Sequence, residues 1–191
     1  MARTLFDSAA FVGAAREIAA THGPGAVTVD AVIAHAQAPK GSFYHRFASR
    51  DALLGQLWLQ TVLAFQAGFV AAIEAGDGLG AALHTPSWAR AHLEDARVLL
   101  LHGRGDFVQG EWPGALQQGV AEQTLRMEGC LKTFARQYFG SIRAPDLRRA
   151  RFVLLEVPVA AVKSHLQKGE RPPALVDDLI TRTFNAIVHE P

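Results

Sequence analysis

The 191-residue chain is 49% hydrophobic and 19% charged, with a formal net charge of +1. That balance belongs to a folded chain long enough to bury a core, and it excludes a disordered polyelectrolyte. One cysteine, Cys130, excludes an internal disulfide and suits a reducing, cytoplasmic setting. No apolar run is read as reaching the ~20 residues that span a bilayer, and the start MARTLFDSAAF lacks a secretory layout, so no membrane partner is expected.

Periodicity is helical nearly throughout, which predicts an all-α fold. From Ser8 to His22, the positions Phe11, Ala15, Ile18 and Ala19 share one face, and Gly23-Pro24-Gly25 supplies a stop. Thr28 is placed to cap a short second helix in which Val29, Val32, Ile33 and Ala36 recur at i, i+3, i+4, i+7. Asp30 falls where the helix dipole favours an anion. Pro39 suits the first position of a third helix, where its missing N–H costs nothing. Ser49 caps a long fourth, and its stripe Leu54, Leu57, Trp58, Val62, Phe65, Phe69 and Ile73 runs to about Ala75 before Gly76-Asp77-Gly78.

Two short helices joined by the turn Gln37-Ala38-Pro39, beneath a preceding helix, read as a helix-turn-helix. In PKGSFYHRF, Phe43 and Phe47 stand four apart and can both face the core, leaving Lys40, Ser42, Tyr44 and His45 on a polar rim. Between Ala38 and Arg50 stand Lys40, Arg46, Arg50 and His45 with no carboxylate, a local surplus suited to phosphate. Gly41 lets backbone approach a strand closely, and Thr28 and Arg50 begin the helices on either side.

These residues carry a resemblance. Thr28-Val29 with Val32-Ile33-Ala34, then Lys40 through Phe47, then Ser49-Arg50-Asp51-Ala52-Leu53-Leu54 are similar to the DNA-binding domain of TetR-family transcriptional regulators, over roughly residues 5 to 58. The resemblance implies a DNA-binding domain at 1–50 and a helical ligand-binding and dimerisation domain at 51–191, with helix 51–75 linking them. It implies a homodimer that binds a pseudo-palindromic double-stranded DNA operator, mostly as a repressor, and is released by a small molecule. Carried over by position, it puts Thr28, Lys40, Gly41, Ser42, Tyr44, His45 and Arg50 at the DNA. The family usually has glycine in the turn where this chain has Gln37, which predicts a glycine-like backbone angle there.

The C-terminal half is divided by His84-Thr85-Pro86, Gly103-Arg104-Gly105, Gly110 through Gly114, Gly140 through Pro145 and Gly169 through Pro173. Arg-Gly-Asp at 104–106 reads as a turn, and Arg16 as a solvated surface charge. Phe65, Phe69, Trp88, His92, Phe107, Trp112, Met127, Phe134 and Tyr138 are the candidates to line a pocket for an apolar or aromatic effector. Helices from Asp146 to Lys168, kinked or broken by Pro158, and from Pro173 to His189 carry surplus apolar stripes. With the resemblance, that surplus predicts a dimer interface through Phe152, Val159, Val162, Leu179, Phe184 and Ile187. No catalytic set, metal cluster or cofactor loop stands out. The alternative is a small all-α enzyme or binding protein using the C-terminal cavity, for which Cys130 is the only nucleophile candidate and a buried apolar role the plainer one.

Overall fold

The computed structural model describes residues 7–108 and 112–189, and its described residues form helices and turns without strands. Part of the predicted breaker at 110–114 falls outside them. α1 (Ser8–His22) starts where the Asp7 carboxylate accepts from the Ala10 N–H, and it stops at Gly23, φ 83°. α2 (Val29–His35) begins under the predicted Thr28 cap, whose Oγ1 accepts from Ala31 N at 3.1 Å. Pro39 stands one place earlier than expected, as the N-cap of α3 (Lys40–Tyr44).

α2 ends in a left-handed turn at Gln37, φ 51°, the described residue other than glycine with positive φ. The Gln37 N–H donates to Ala34 O and the Ala38 N–H to Ile33 O, the paired bonds of a Schellman motif. The same pair closes two other helices, at Gly76 through Ile73 O and Ala72 O, and at Gly169 through Leu166 O and His165 O. Gln37 therefore does a glycine's work with a side chain attached.

α3 is held from below by three aromatic rings. Phe11, Phe43 and Phe47 are buried, with Phe11 edge-on to Phe43 at 5.6 Å and to Phe47 at 6.3 Å between centroids. Each such ring removes enough apolar surface from water to contribute about 1.5–3 kcal/mol. Five residues of helix would not persist without that anchor.

α4 (Arg50–Glu74) begins at the expected Ser49 cap, whose Oγ accepts from Ala52 N. Its charged residues are Arg50, Asp51 and Glu74, so by length and composition it could cross a bilayer, contrary to the sequence expectation. Its apolar positions are instead divided between two cores. Leu53, Leu54 and Leu57 join Phe11, Val32 and Phe43 in one; Phe65, Phe69, Val70 and Ile73 join Phe134, Val153 and Phe184 in the other.

α5 (Gly78–Ala91) runs straight through Pro86, where a break is expected. Pro86 is buried, and that burial offsets the one helix bond its missing N–H removes. α6 (Leu93–Leu100) and α7 (Arg104–Phe107) follow; Arg-Gly-Asp is thus the first turn of a short helix. α8 (Gly114–Phe139) ends at left-handed Gly140. The expected helix from Asp146 to Lys168 is three pieces: α9 (Ala144–Arg151), a π turn at Phe152–Glu156, and α10 (Val157–Gln167). The Val157 N–H reaches back to Phe152 O, and this wider register makes room for the Pro158 ring without breaking the rod. α11 (Leu175–His189) closes the domain against α5.

Replacing Gln37 with glycine should stabilise the protein by about 0.5–1 kcal/mol, because relief of a left-handed side-chain penalty exceeds the added unfolded-chain entropy. The urea midpoint of Gln37→Gly against the parent measures this directly.

Candidate nucleic-acid interface and effector cavity

With Phe43 turned inward, α3 presents Lys40, Gly41, Tyr44 and His45 to solvent and leaves Ser42 half-buried. Tyr44 is 54% exposed and rests edge-on against Phe43, so its hydroxyl is carried outward by a ring that is itself braced. A Cβ on Gly41 would meet nothing within 4 Å, so the surface there is open. Lys40 Nζ lies 3.1 Å from Asp30 Oδ1, which sets the first turn of α2, with Thr28 at its head, beside the start of α3. The hydrogen bond to Asp30, then its charge, raise the Lys40 pKa and keep the ammonium protonated. A pair this exposed is easily exchanged for another anion.

Arg50 faces the other way. Its Nε donates to Val27 O, one terminal nitrogen to Pro24 O at 2.8 Å and the other to Asp51 at 3.3 Å. The guanidinium thereby ties the head of α4 to the connection between α1 and α2. The sequence reading missed a second tie, His35 Nε2 to Glu17 Oε2 at 2.8 Å, which joins α2 to α1.

A cavity of about 420 Å³ opens between α4, α6, α8 and the α9–α10 rod. α4 supplies Trp58, Val62, Phe65 and Gln66. Leu99 and Leu100 come from α6, Gln123 and Met127 from α8. Arg151, Leu155 and Val159 form the far wall.

Of the predicted lining, Phe65 and Met127 are there. Phe69, Trp88 and Phe134 are instead buried in the C-terminal core, with Trp88 edge-on to Phe65. Tyr138 donates its hydroxyl to Gly76 O and accepts from Gly78 N, fastening the α4–α5 turn. Phe107 and Trp112 are packed into the N-terminal core, and His92 is exposed at the head of α6. Of the predicted dimer residues, Val162 and Phe184 are 0% and 3% exposed and have no surface to offer a partner. Phe152 and Leu179 are exposed, Ile187 half-buried, and Val159 belongs to the cavity wall. Apolar stripes tell which residues avoid water but not which of two cores, or which partner, receives them. Cys130 is buried, and burial pushes its thiol pKa up, away from a nucleophile's range.

Two helices connect cavity and interface. α4 passes from Leu57 in the N-terminal core to Trp58 at the cavity in one residue. α6 places Val98 in the N-terminal core and Leu99 at the cavity. Arg16, expected as a solvated charge, has its Nε 2.6 Å from Asp95 Oδ1 and so links α1 to α6.

Residues 11–57 match the family model for bacterial regulatory proteins, tetR family, so this N-terminal unit is a TetR-type helix-turn-helix domain. The fold is shared with a chain described as a tetR family transcription regulator from Shewanella sp. PV-4, at 19% identity and TM-score 0.62, covering 95% of this chain and 96% of that one. It is shared also with the transcriptional regulator FadR of Bacillus subtilis in complex with stearoyl-CoA, at 16% identity and TM-score 0.67, covering 95% and 98%. A comparison with curated proteins finds no match.

Two histidines brace these junctions. The His84 Nε2–H donates to Phe65 O at 2.7 Å, and Gly68 leaves the space the ring occupies, since a Cβ there would lie 2.4 Å from it. His102 lies against Gly23. Burial lowers both pKa values, so the neutral rings are favoured in the folded state. Their contribution to stability is complete above the unfolded value of about 6.5 and is lost as pH falls from there through the folded values. Urea midpoints taken between pH 7.5 and 5.5 should fall, and the His84→Gln, His102→Gln double variant should show a flatter profile.

Proposed function

We propose that this chain, built on a TetR-type DNA-binding domain, is a homodimeric repressor that holds a pseudo-palindromic operator and releases it when a small apolar molecule enters the cavity. One observation carries the reading: a polar rim on α3 rests on a buried aromatic underside, and two helices that contribute to the core beneath it, α4 and α6, also wall the cavity. In this reading Lys40, Tyr44 and His45 meet phosphate, Ser42 and the backbone at Gly41 approach base edges, and Thr28 contacts the strand beside Lys40. Arg50 acts by positioning, since its donors hold Val27 O and Pro24 O.

Release follows from packing. An occupant between Trp58, Phe65 and Leu99 displaces α4 and α6, and the other ends of those displacements are Leu54, Leu57 and Val98 in the core that seats α3. Interiors are dense and transmit such shifts instead of absorbing them. In a dimer, a small tilt of each α4 changes the separation of two reading heads that must match half-sites about one helical turn apart. FadR's complex with stearoyl-CoA supports effector binding by a domain of this fold.

Selection of bound duplexes from a random pool by the purified protein, at two salt concentrations, should yield a pseudo-palindrome bound more weakly at the higher salt. Enrichment of nothing at either salt would overturn the repressor reading. On that duplex, Lys40→Ala and Tyr44→Phe should each lose about 1–3 kcal/mol of binding, and no loss from either would displace α3 from the contact. The exposed faces of Phe152 and Leu179 are the proposed dimer contact. Leu179→Glu should therefore sediment as a monomer where the parent sediments as a dimer.

A further inference from the structure

We infer that the cavity selects an uncharged molecule with an apolar ring system and a hydrogen-bond donor, which it recognises through the side-chain carbonyl of Gln66 with Gln123 beside it. The inference rests on the cavity being the effector site. Gln66 is 6% exposed, on the α4 stripe where Val62, Phe65 and Phe69 are all buried. Its Nε2 donates to the backbone carbonyl of Gln123 at 3.4 Å. That bond sets the amide orientation, because the reverse arrangement would press two carbonyl oxygens together. Gln66 Oε1 is left buried with no partner among the described residues, and Gln66 itself is one of the residues that line the cavity. Gln123 Oε1, across on α8, is also buried and without a partner among the described residues.

Two unpaired acceptors beside the apolar side chains of Val62, Phe65 and Met127 have a defined complement. Buried carbonyl oxygens without donors are costly, and an occupant that supplies an O–H or N–H removes that cost, while one without a donor keeps it. The neighbouring Thr124 hydroxyl cannot serve, since it donates to Val120 O at 3.0 Å. A carboxylate reaching this depth would face two carbonyl oxygens, and Arg151, the cation of the lining, is an exposed residue that shares the lining with the exposed, opposite charge of Glu128. One exposed cation is also too few for a nucleotide thioester with its several phosphates. The volume of about 420 Å³ suits a compact ring system of two or three rings.

The test is calorimetric titration of the full-length protein with matched pairs that differ only in the donor: 1-naphthol against 1-methoxynaphthalene, and 4-phenylphenol against 4-methoxybiphenyl. The phenol of each pair should bind about tenfold tighter than its ether. In Gln66→Met, which keeps length and apolar contact, that preference should vanish while ether binding persists; circular dichroism establishes that the variant is folded, and the wild-type pairs decide the matter if it is not. Equal binding of phenol and ether by the wild type would overturn donor recognition and leave the cavity as a binding site. Binding of neither member of either pair would overturn the cavity reading, and donor recognition with it.

Discussion

The long helix α4 belongs to two hydrophobic cores, and the rest of the molecule is arranged around that fact. α4 cannot shift to suit one core without disturbing the other, because Leu54 and Leu57 share one core with the Phe11, Phe43 and Phe47 rings while Phe69 and Ile73 share the other, where α4 packs on α5 and α8. The aromatic underside of α3 depends on α4 for its floor. The cavity lies where α4 leaves one core for the other, at Trp58 to Gln66, the stretch where neither core claims all of its faces.

The polar contacts add alignment more than strength. Arg16 with Asp95, and Arg90 with Asp177 at 2.8 Å, are partly exposed, and pairs of that kind contribute on the order of 0–1 kcal/mol. Arg16 Nε and Asp95 Oδ1 are close as charges yet off the hydrogen-bond axis, since neither atom has a hydrogen-bond partner among the described residues. Such contacts fix which turn of α6 sits beside α1. The Arg50 bonds to Val27 O and Pro24 O matter more, because they satisfy loop carbonyls and hold three helix ends together.

Much of the N-terminal fold was legible because its signals are local. Thr28 and Ser49 cap where their hydroxyls meet orphan N–H groups, Gly76, Gly140 and Gly169 stop helices where φ must be positive, and the need for a glycine-like angle at Gln37 follows from its place in the turn. Burial of Phe43 and Phe47 followed from their spacing. What the sequence concealed was long-range. Nothing local says that Phe107 and Trp112 pack toward the N-terminal core, that Arg50 and Arg16 turn inward, or that Pro86 sits inside a continuous helix. Gln66 did carry a signal: a glutamine in register with Val62 and Phe69 on an otherwise apolar stripe must find a buried partner or leave an acceptor open.

The π turn at Phe152–Glu156 has an architectural result of its own. Arg151, Leu155 and Val159, which flank or belong to it, line both the cavity and a shallow groove along α10. Whatever settles in the groove and whatever settles in the cavity then touch the same three residues. Thermodynamic reciprocity follows: if occupancy of one alters affinity at the other, the reverse must hold by the same factor. Were the groove covered by a second copy of the chain, the apparent affinity for a small molecule would depend on protein concentration, and dilution would become a form of regulation.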